Sequence, residues 1–345
     1  MLRWGSSRRR FLSSRTAKPD PSQSYALYAD FKNSLYRLAG NRNTVLASLP
    51  GFACVRTGTK SRFNAAGTTL YTATANNPLI VPGEGCWSET AYTNLLTNAG
   101  TAVDLLTQTT AALTVASYTI SFYGTGTVTL TGASTAGPLV GTGANNRVRL
   151  TFTPTAAALT VTVSGSCKYA SLVQSIYAGP LIATAGAAAS VGADDLQFTL
   201  AQAAPFTLYG EGKPDAGVAL NSGGNQSFIS AQQDATNFSL LYMSAGGPTA
   251  LVREAGTNTA IVAPAGTAAI DTIARVVGRF QLNNANASYN GGAVGVVDTS
   301  TNPPTVALVS TSGFGALDGC IRFIGVKAGA LTDAQLITES ARYVL

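Results

Sequence analysis

Four short runs in the middle of the chain restrict its fold more than any other feature. Tyr118, Ile120 and Phe122 alternate with Thr119 and Ser121, and Val128 and Leu130 alternate with Thr127, Thr129 and Thr131. Val148, Leu150 and Phe152 alternate with Arg147, Arg149, Thr151 and Thr153, and Leu159, Val161 and Val163 with Thr160, Thr162 and Ser164. A period of two places every apolar side chain on one face, so each run reads as a strand with one buried side. Gly- and Pro-containing turns between the runs favour antiparallel pairing. Residues 101–180 are therefore expected to form a small sandwich, an eight-stranded jelly roll.

The remainder of the chain fits the same class. Its 345 residues suffice for two or three domains, and only 11% of them are Asp, Glu, Lys or Arg. Between 23 and 100, Leu49-Pro50-Gly51, Asn76-Asn77-Pro78 and Pro82-Gly83 interrupt the chain too often for a helix to gain length. Residues 25–31 are apolar and aromatic, which favours strand over helix. After an Ala/Gly-rich linker at 184–189, strands are expected at 198–200, 206–209, 227–230, 238–243, 250–253, 259–263, 273–282, 293–297, 305–308 and 320–327. Thr332 and Gln335 form a capping-box pattern that opens one helix, expected over 333–343. The predicted class is all-β: tandem antiparallel β-sandwiches with an extended N-terminal arm and a short C-terminal helix. The divisions are 1–22 (basic arm), 23–100 (an irregular β collar), 101–180 (small sandwich) and 181–345 (larger sandwich).

Charge is concentrated at one end. Arg3, Arg8, Arg9, Arg10, Arg15 and Lys18 account for the entire net charge of +6, leaving the rest neutral. A neutral body does not suit nucleic-acid binding, which needs cations spread over a folded face. Arg8-Arg9-Arg10-Phe11-Leu12 is similar to a twin-arginine export signal, but no apolar core follows it. Nor does any run approach the roughly 18 apolar residues of a membrane span. The arm reads as an anchor that orders on docking, with Arg8, Arg9 and Arg10 meeting acidic groups and Trp4, Phe11 and Leu12 filling pockets; a solvated basic terminus is the alternative.

Catalytic chemistry finds little support. With no histidine, Ser-His-Asp and Cys-His arrangements are excluded, and Cys54, Cys86, Cys167 and Cys320 have no metal-ligand spacing. Buried free thiols are the simpler reading of these cysteines, with a disulfide as the alternative. Asp194, Asp195, Glu211, Asp215, Asp234 and Glu254 are the carboxylates available for glycoside hydrolysis, but none lies in a recognisable motif. No catalytic residue, metal ligand or cofactor is assigned, and the chain is expected not to be an enzyme.

The order of pieces between 30 and 96 resembles a region of tailed-phage and prophage virion proteins. The pieces are Asp30-Phe31, Arg56-Thr57-Gly58, Gly67-Thr68-Thr69-Leu70-Tyr71-Thr72-Ala73-Thr74-Ala75-Asn76-Asn77-Pro78 and Glu89-Thr90-Ala91-Tyr92-Thr93-Asn94-Leu95-Leu96. The pattern's Arg after Pro78 is Leu79 here, and its Gly-Leu-Leu-Ile-Glu run is Gly85-Cys86-Trp87-Ser88-Glu89. Asn94 should bond nearby backbone while Leu95 and Leu96 plug the next core. Phe122-Tyr123-Gly124 and Val163-Ser164-Gly165 resemble the small sandwich of the same proteins. The strand Gly319-Cys320-Ile321-Arg322-Phe323 and the pair 273–280 with Tyr289-Asn290-Gly291-Gly292 resemble concanavalin-like or laminin-G-like lectin domains. The resemblance implies a fibre or spike of tail or head, assembled in the host cytoplasm. Its expected partners are other virion proteins, further copies of itself with a trimer favoured, and a host surface glycan. Tyr209, Tyr242 and Asn290 are the candidate glycan contacts, and Tyr123 and Tyr169 could stack on a sugar or simply pack. A purely architectural decoration protein and a glycan-cleaving spike are the alternatives.

Overall fold

The computed structural model describes residues 20–215, 225–244, 247–266, 272–313 and 315–342. It is all-β, built as two antiparallel sandwiches, with one helix near the C-terminal end. The smaller sandwich has sheets of four and three strands. Gln108–Ala112, Ala158–Ser164, Thr127–Gly132 and Leu139–Val140 form one, and Gly143–Phe152, Tyr118–Gly124 and Cys167–Val173 the other. That makes seven strands where eight were expected. The alternating apolar residues meet inside, with Ile120, Phe122, Val128, Leu159 and Val161 fully buried.

The larger sandwich packs a nine-stranded sheet on a seven-stranded one. Residues 23–100, expected as a collar of their own, do not stand apart from it. Leu27–Asp30 pairs with Gly319–Ala328, and Phe52–Val55 pairs with Asp195–Gln202, so the early strands extend both sheets. Leu27, Phe31 and Leu38 thereby share one core with Phe198, Phe206, Phe280 and Ile324. Each such side chain contributes about 1.5–3 kcal/mol on burial, which is what fixes the pairing.

Two readings of the C-terminal half are corrected. Residues 293–297 form no strand, and Asn284–Tyr289 does instead, pairing with Ala274–Gln281 across a turn at Leu282 and Asn283. Asn283 takes the left-handed conformation there, with φ 53°, so the hairpin precedes Asn290-Gly291 rather than containing it. The capping box is present, and the helix runs Asp333–Ser340. It lays Leu336 on the outer face of the nine-stranded sheet, against Tyr28, Tyr209, Val277 and Phe323.

Candidate functional site: the cleft between the sandwiches

The segment from Glu89 to Leu96 joins the two bodies. Asn94 is fully buried, and its carboxamide donates to the Ala170 and Ile182 carbonyls at 3.2 and 2.9 Å. Its oxygen accepts from the N–H groups of Leu96 and Leu172 at 3.2 and 3.1 Å. Leu96 then enters the small core, with Leu95 packed beside it.

Beneath this joint lies a buried ionic network. Lys60 donates to Asp194 at 2.5 Å, to Glu89 at 2.6 Å and to the Trp87 carbonyl at 2.9 Å. Arg56 donates to the other Asp194 oxygen at 2.8 Å and to the carbonyls of Ala73 and Thr74. Burial pushes the Lys60 ammonium down, but Glu89 and Asp194 more than offset it and hold the group above its ordinary value. Asp318 accepts from the Thr90 N–H at 2.7 Å, which ties the same segment to the larger sandwich.

A hairpin, Lys60–Phe63 with Leu70–Ala73, leans from this network onto the small sandwich. Phe63 packs on Tyr123 and Tyr169 at 4.8 and 4.9 Å between ring centroids. Gly67, in the hairpin's turn, has φ +68°, and a Cβ there would lie 1.9 Å from the Asn145 carbonyl oxygen. Only glycine fits both the conformation and the close approach.

Between the hairpin, the outer face of the nine-stranded sheet and the three-stranded sheet of the small sandwich opens a cleft of about 840 Å³. Its charge is unbalanced: Lys32, Arg62, Arg147, Arg149, Lys213 and Arg322 line it against Glu84 and Asp215 alone. Asn64, Asn145 and Asn146 add amide groups. Arg62 sits over Trp87, its guanidinium carbon 3.3 Å from the ring centroid, and donates to Asp215 at 2.8 Å. Arg147 donates to the carbonyls of Gly179 and Ala178 at 2.7 and 3.0 Å and to the Ser121 hydroxyl. Burial pushes the Arg147 guanidinium down; Tyr123 opposes that, Arg62 adds to it, and the net shift is below the ordinary value. Burial would raise the Asp215 carboxyl, yet Arg62, Arg147 and Arg149 hold it below the ordinary carboxylate range. The side chains of Lys32 and Arg149 make no hydrogen bond or ion pair among the described residues.

The three candidate glycan contacts are not brought together. Tyr209 is fully buried, its ring 5.1 Å from Tyr25 and 6.2 Å from Phe323, so neither face is open to a sugar. Tyr242 is buried on the other sheet with Phe238, Leu240 and Leu251. Asn290 is a turn residue at φ 47° whose oxygen accepts from the Arg275 N–H at 2.8 Å. Tyr123 and Tyr169 pack on Phe63. Trp4, Arg8, Arg9, Arg10 and Phe11 lie outside the described residues. The cleft's own residues come from nine separate stretches of sequence, and no local motif marks them.

The carboxylates considered for hydrolysis have other partners. Asp194 holds Arg56 and Lys60, Asp195 accepts from Ser310, and Glu211 pairs with Arg275. Asp215 pairs with Arg62, Asp234 caps the turn at Thr236 and Asn237, and Glu254 accepts from Thr259.

No family model matches the chain, and no curated protein matches it. Among solved structures it is similar to a SAP-like pentraxin from Limulus polyphemus, at 14% identity over 42% of this chain and 75% of that one, with a TM-score of 0.31. It is similar to the CBM40 of a Ruminococcus gnavus IT-sialidase bound to α2,3-sialyllactose, at 14% identity over 40% of this chain and 84% of that one, TM-score 0.32. A third is the binding domain of botulinum neurotoxin DC in complex with SialylT, at 10% identity over 44% and 40% of the two chains, TM-score 0.35.

Proposed function

We propose that this chain is an adhesive structural protein of a tailed-phage or phage-like particle, a fibre or spike of tail or head. Its basic arm docks on other virion proteins, it assembles in several copies, and it holds a glycan of the host surface in the cleft between its sandwiches. The observation that carries the adhesive part is the cleft: six cations and three amides collected in a body whose net charge is zero. The order of motifs from Asp30 to Leu96 supports the virion part. Multiple copies would let individually weak sites add through avidity.

A glycan array probed with the full chain tests the adhesive reading. Retention on bacterial surface glycans is the expected result. Silence across the array from folded protein would leave the architectural reading, which the dense joint around Asn94 and Gly67 favours. Release of soluble oligosaccharide from a retained polymer would instead make the chain a glycan-cleaving spike.

A further inference from the structure

Two of the three aromatic rings that line the cleft are already covered. Trp87 is 7% exposed beneath the Arg62 guanidinium, and Tyr123 is 8% exposed against Phe63. A neutral sugar is usually held by stacking its apolar face on an open ring, together with hydrogen bonds. The third ring, Phe63, is half-buried and already packs on Tyr123 and Tyr169. What the cleft presents instead is charge and amide groups: Arg149 exposed on one wall and Lys32 half-buried on another, neither paired, with Arg62 and Arg147 repelling each other nearby. An anion placed among them relieves that repulsion, and guanidinium groups match a carboxylate with two parallel hydrogen bonds.

We infer that the cleft selects a glycan bearing sugar carboxylates, a uronate- or sialate-containing polymer, and that Arg149 and Lys32 are its specificity-determining contacts. The assignment deepens the adhesive reading proposed above and rests on it. Nucleic acid fits less well. A single strand needs open aromatic platforms, a duplex needs a broad cationic face, and this cleft is bounded on three sides by a neutral body.

The experiment is calorimetric titration of the full chain at low salt with polygalacturonate, alginate and polysialic acid, each beside its carboxyl-reduced form. Reduction removes the charge and keeps the sugar backbone. At least one acidic polymer should bind, with its reduced form weaker by about tenfold or more, in line with the loss of one charge-assisted hydrogen bond. Raising the salt should weaken that binding too. Arg149→Glu and Lys32→Glu, each checked for an unchanged melting temperature, should each lower affinity by a similar factor. Equal binding of native and reduced polymers would overturn the inference and leave adhesion standing, whereas failure of every polymer, reduced forms included, would remove both. Acid-dependent binding that ignores both variants would place the site elsewhere and overturn the assignment. Tighter binding of single-stranded DNA or of a glycerol-phosphate teichoic acid would overturn it in favour of phosphate.

Discussion

Lys60 and Asp194 are 134 residues apart in sequence and 2.5 Å apart in space, and both side chains are almost wholly shielded from water. An ammonium in that position is tolerated only because Glu89 and the Trp87 carbonyl complete its shell. Lys60→Met would leave Asp194 and Glu89 buried with one cation fewer. The expected cost is about 3–5 kcal/mol of unfolding free energy, read from denaturant titration. A loss below 1 kcal/mol would mean that water reaches the network.

Asn94 is satisfied at both ends of its amide. Asn94→Asp preserves the acceptor but turns an oxygen toward the Ala170 and Ile182 carbonyls, so the near-isosteric change should destabilise by about 2–4 kcal/mol. Asn94→Ala should cost a comparable amount by stranding the Leu96 and Leu172 N–H groups. Thermal melts of both variants check this, and an Asn94→Asp protein as stable as the parent would contradict the bonding.

All four cysteines are free and buried. Burial pushes the thiols of Cys54 and Cys167 up to about 11 and that of Cys320 up to about 12, and raises Cys86 well above its ordinary value. The folded chain should therefore leave a thiol reagent unreacted at pH 8 and consume four equivalents once denatured. The same shifts stabilise the fold fully below pH 9, where unfolded thiols keep their protons. That contribution is lost as pH rises from 9 through about 11 to 12, so the melting temperature should fall across this window.

At the acid end the sign reverses. The Asp215 carboxyl lies below its ordinary value because nearby arginines outweigh its burial, so its contribution is complete above about pH 4 and disappears as pH falls through the lowered value. Asp215→Asn should flatten the acid limb of the stability profile. A limb identical to the parent's would remove Asp215 from the account.

Deletion of residues 1–18 tests the anchor. The truncated chain should melt like the parent and fail to enter particles; normal incorporation would end the docking role assigned to Arg8, Arg9, Arg10, Trp4 and Phe11.

Features that depend on near neighbours were legible in the sequence. The alternation from Tyr118 to Phe122 is a strand because a period of two is a local property, and Thr332 caps Gln335 three residues away. Of Asn94's bonds only the local one, from the Leu96 N–H, was legible for the same reason; those with Ala170, Leu172 and Ile182 were not. Long-range pairing was not. Nothing in the residues 27–30 announces that they border 323–326, and the polar run Asn284–Tyr289 lacks the β-branched residues that mark a strand. Thr119 and Ser121 read as a solvated face, yet both are fully buried, because the segment after Val173 folds over them and its Ser175 carbonyl accepts from Thr119. Tyr209 failed as a sugar contact for a related reason: a helix more than 100 residues later shares its apolar patch. The cleft escaped notice because Lys32, Arg62 and Arg149 become neighbours only after both sandwiches have formed.

The pairing of Leu27–Asp30 with Gly319–Ala328 also dictates a timetable for synthesis. That late strand sits between Leu27–Asp30 and Phe206–Pro214, at the centre of its sheet. A nascent chain that has passed Val173 holds every strand of the small sandwich and can fold it while translation continues. The larger body must wait for Gly319–Ala328 to emerge, and until then Leu27–Asp30 is paired with Leu35–Leu38 on one side alone. A polypeptide released before Gly319 would thus carry one folded module flanked by sticky, half-made sheets, and aggregation of such fragments is the fate the topology assigns them.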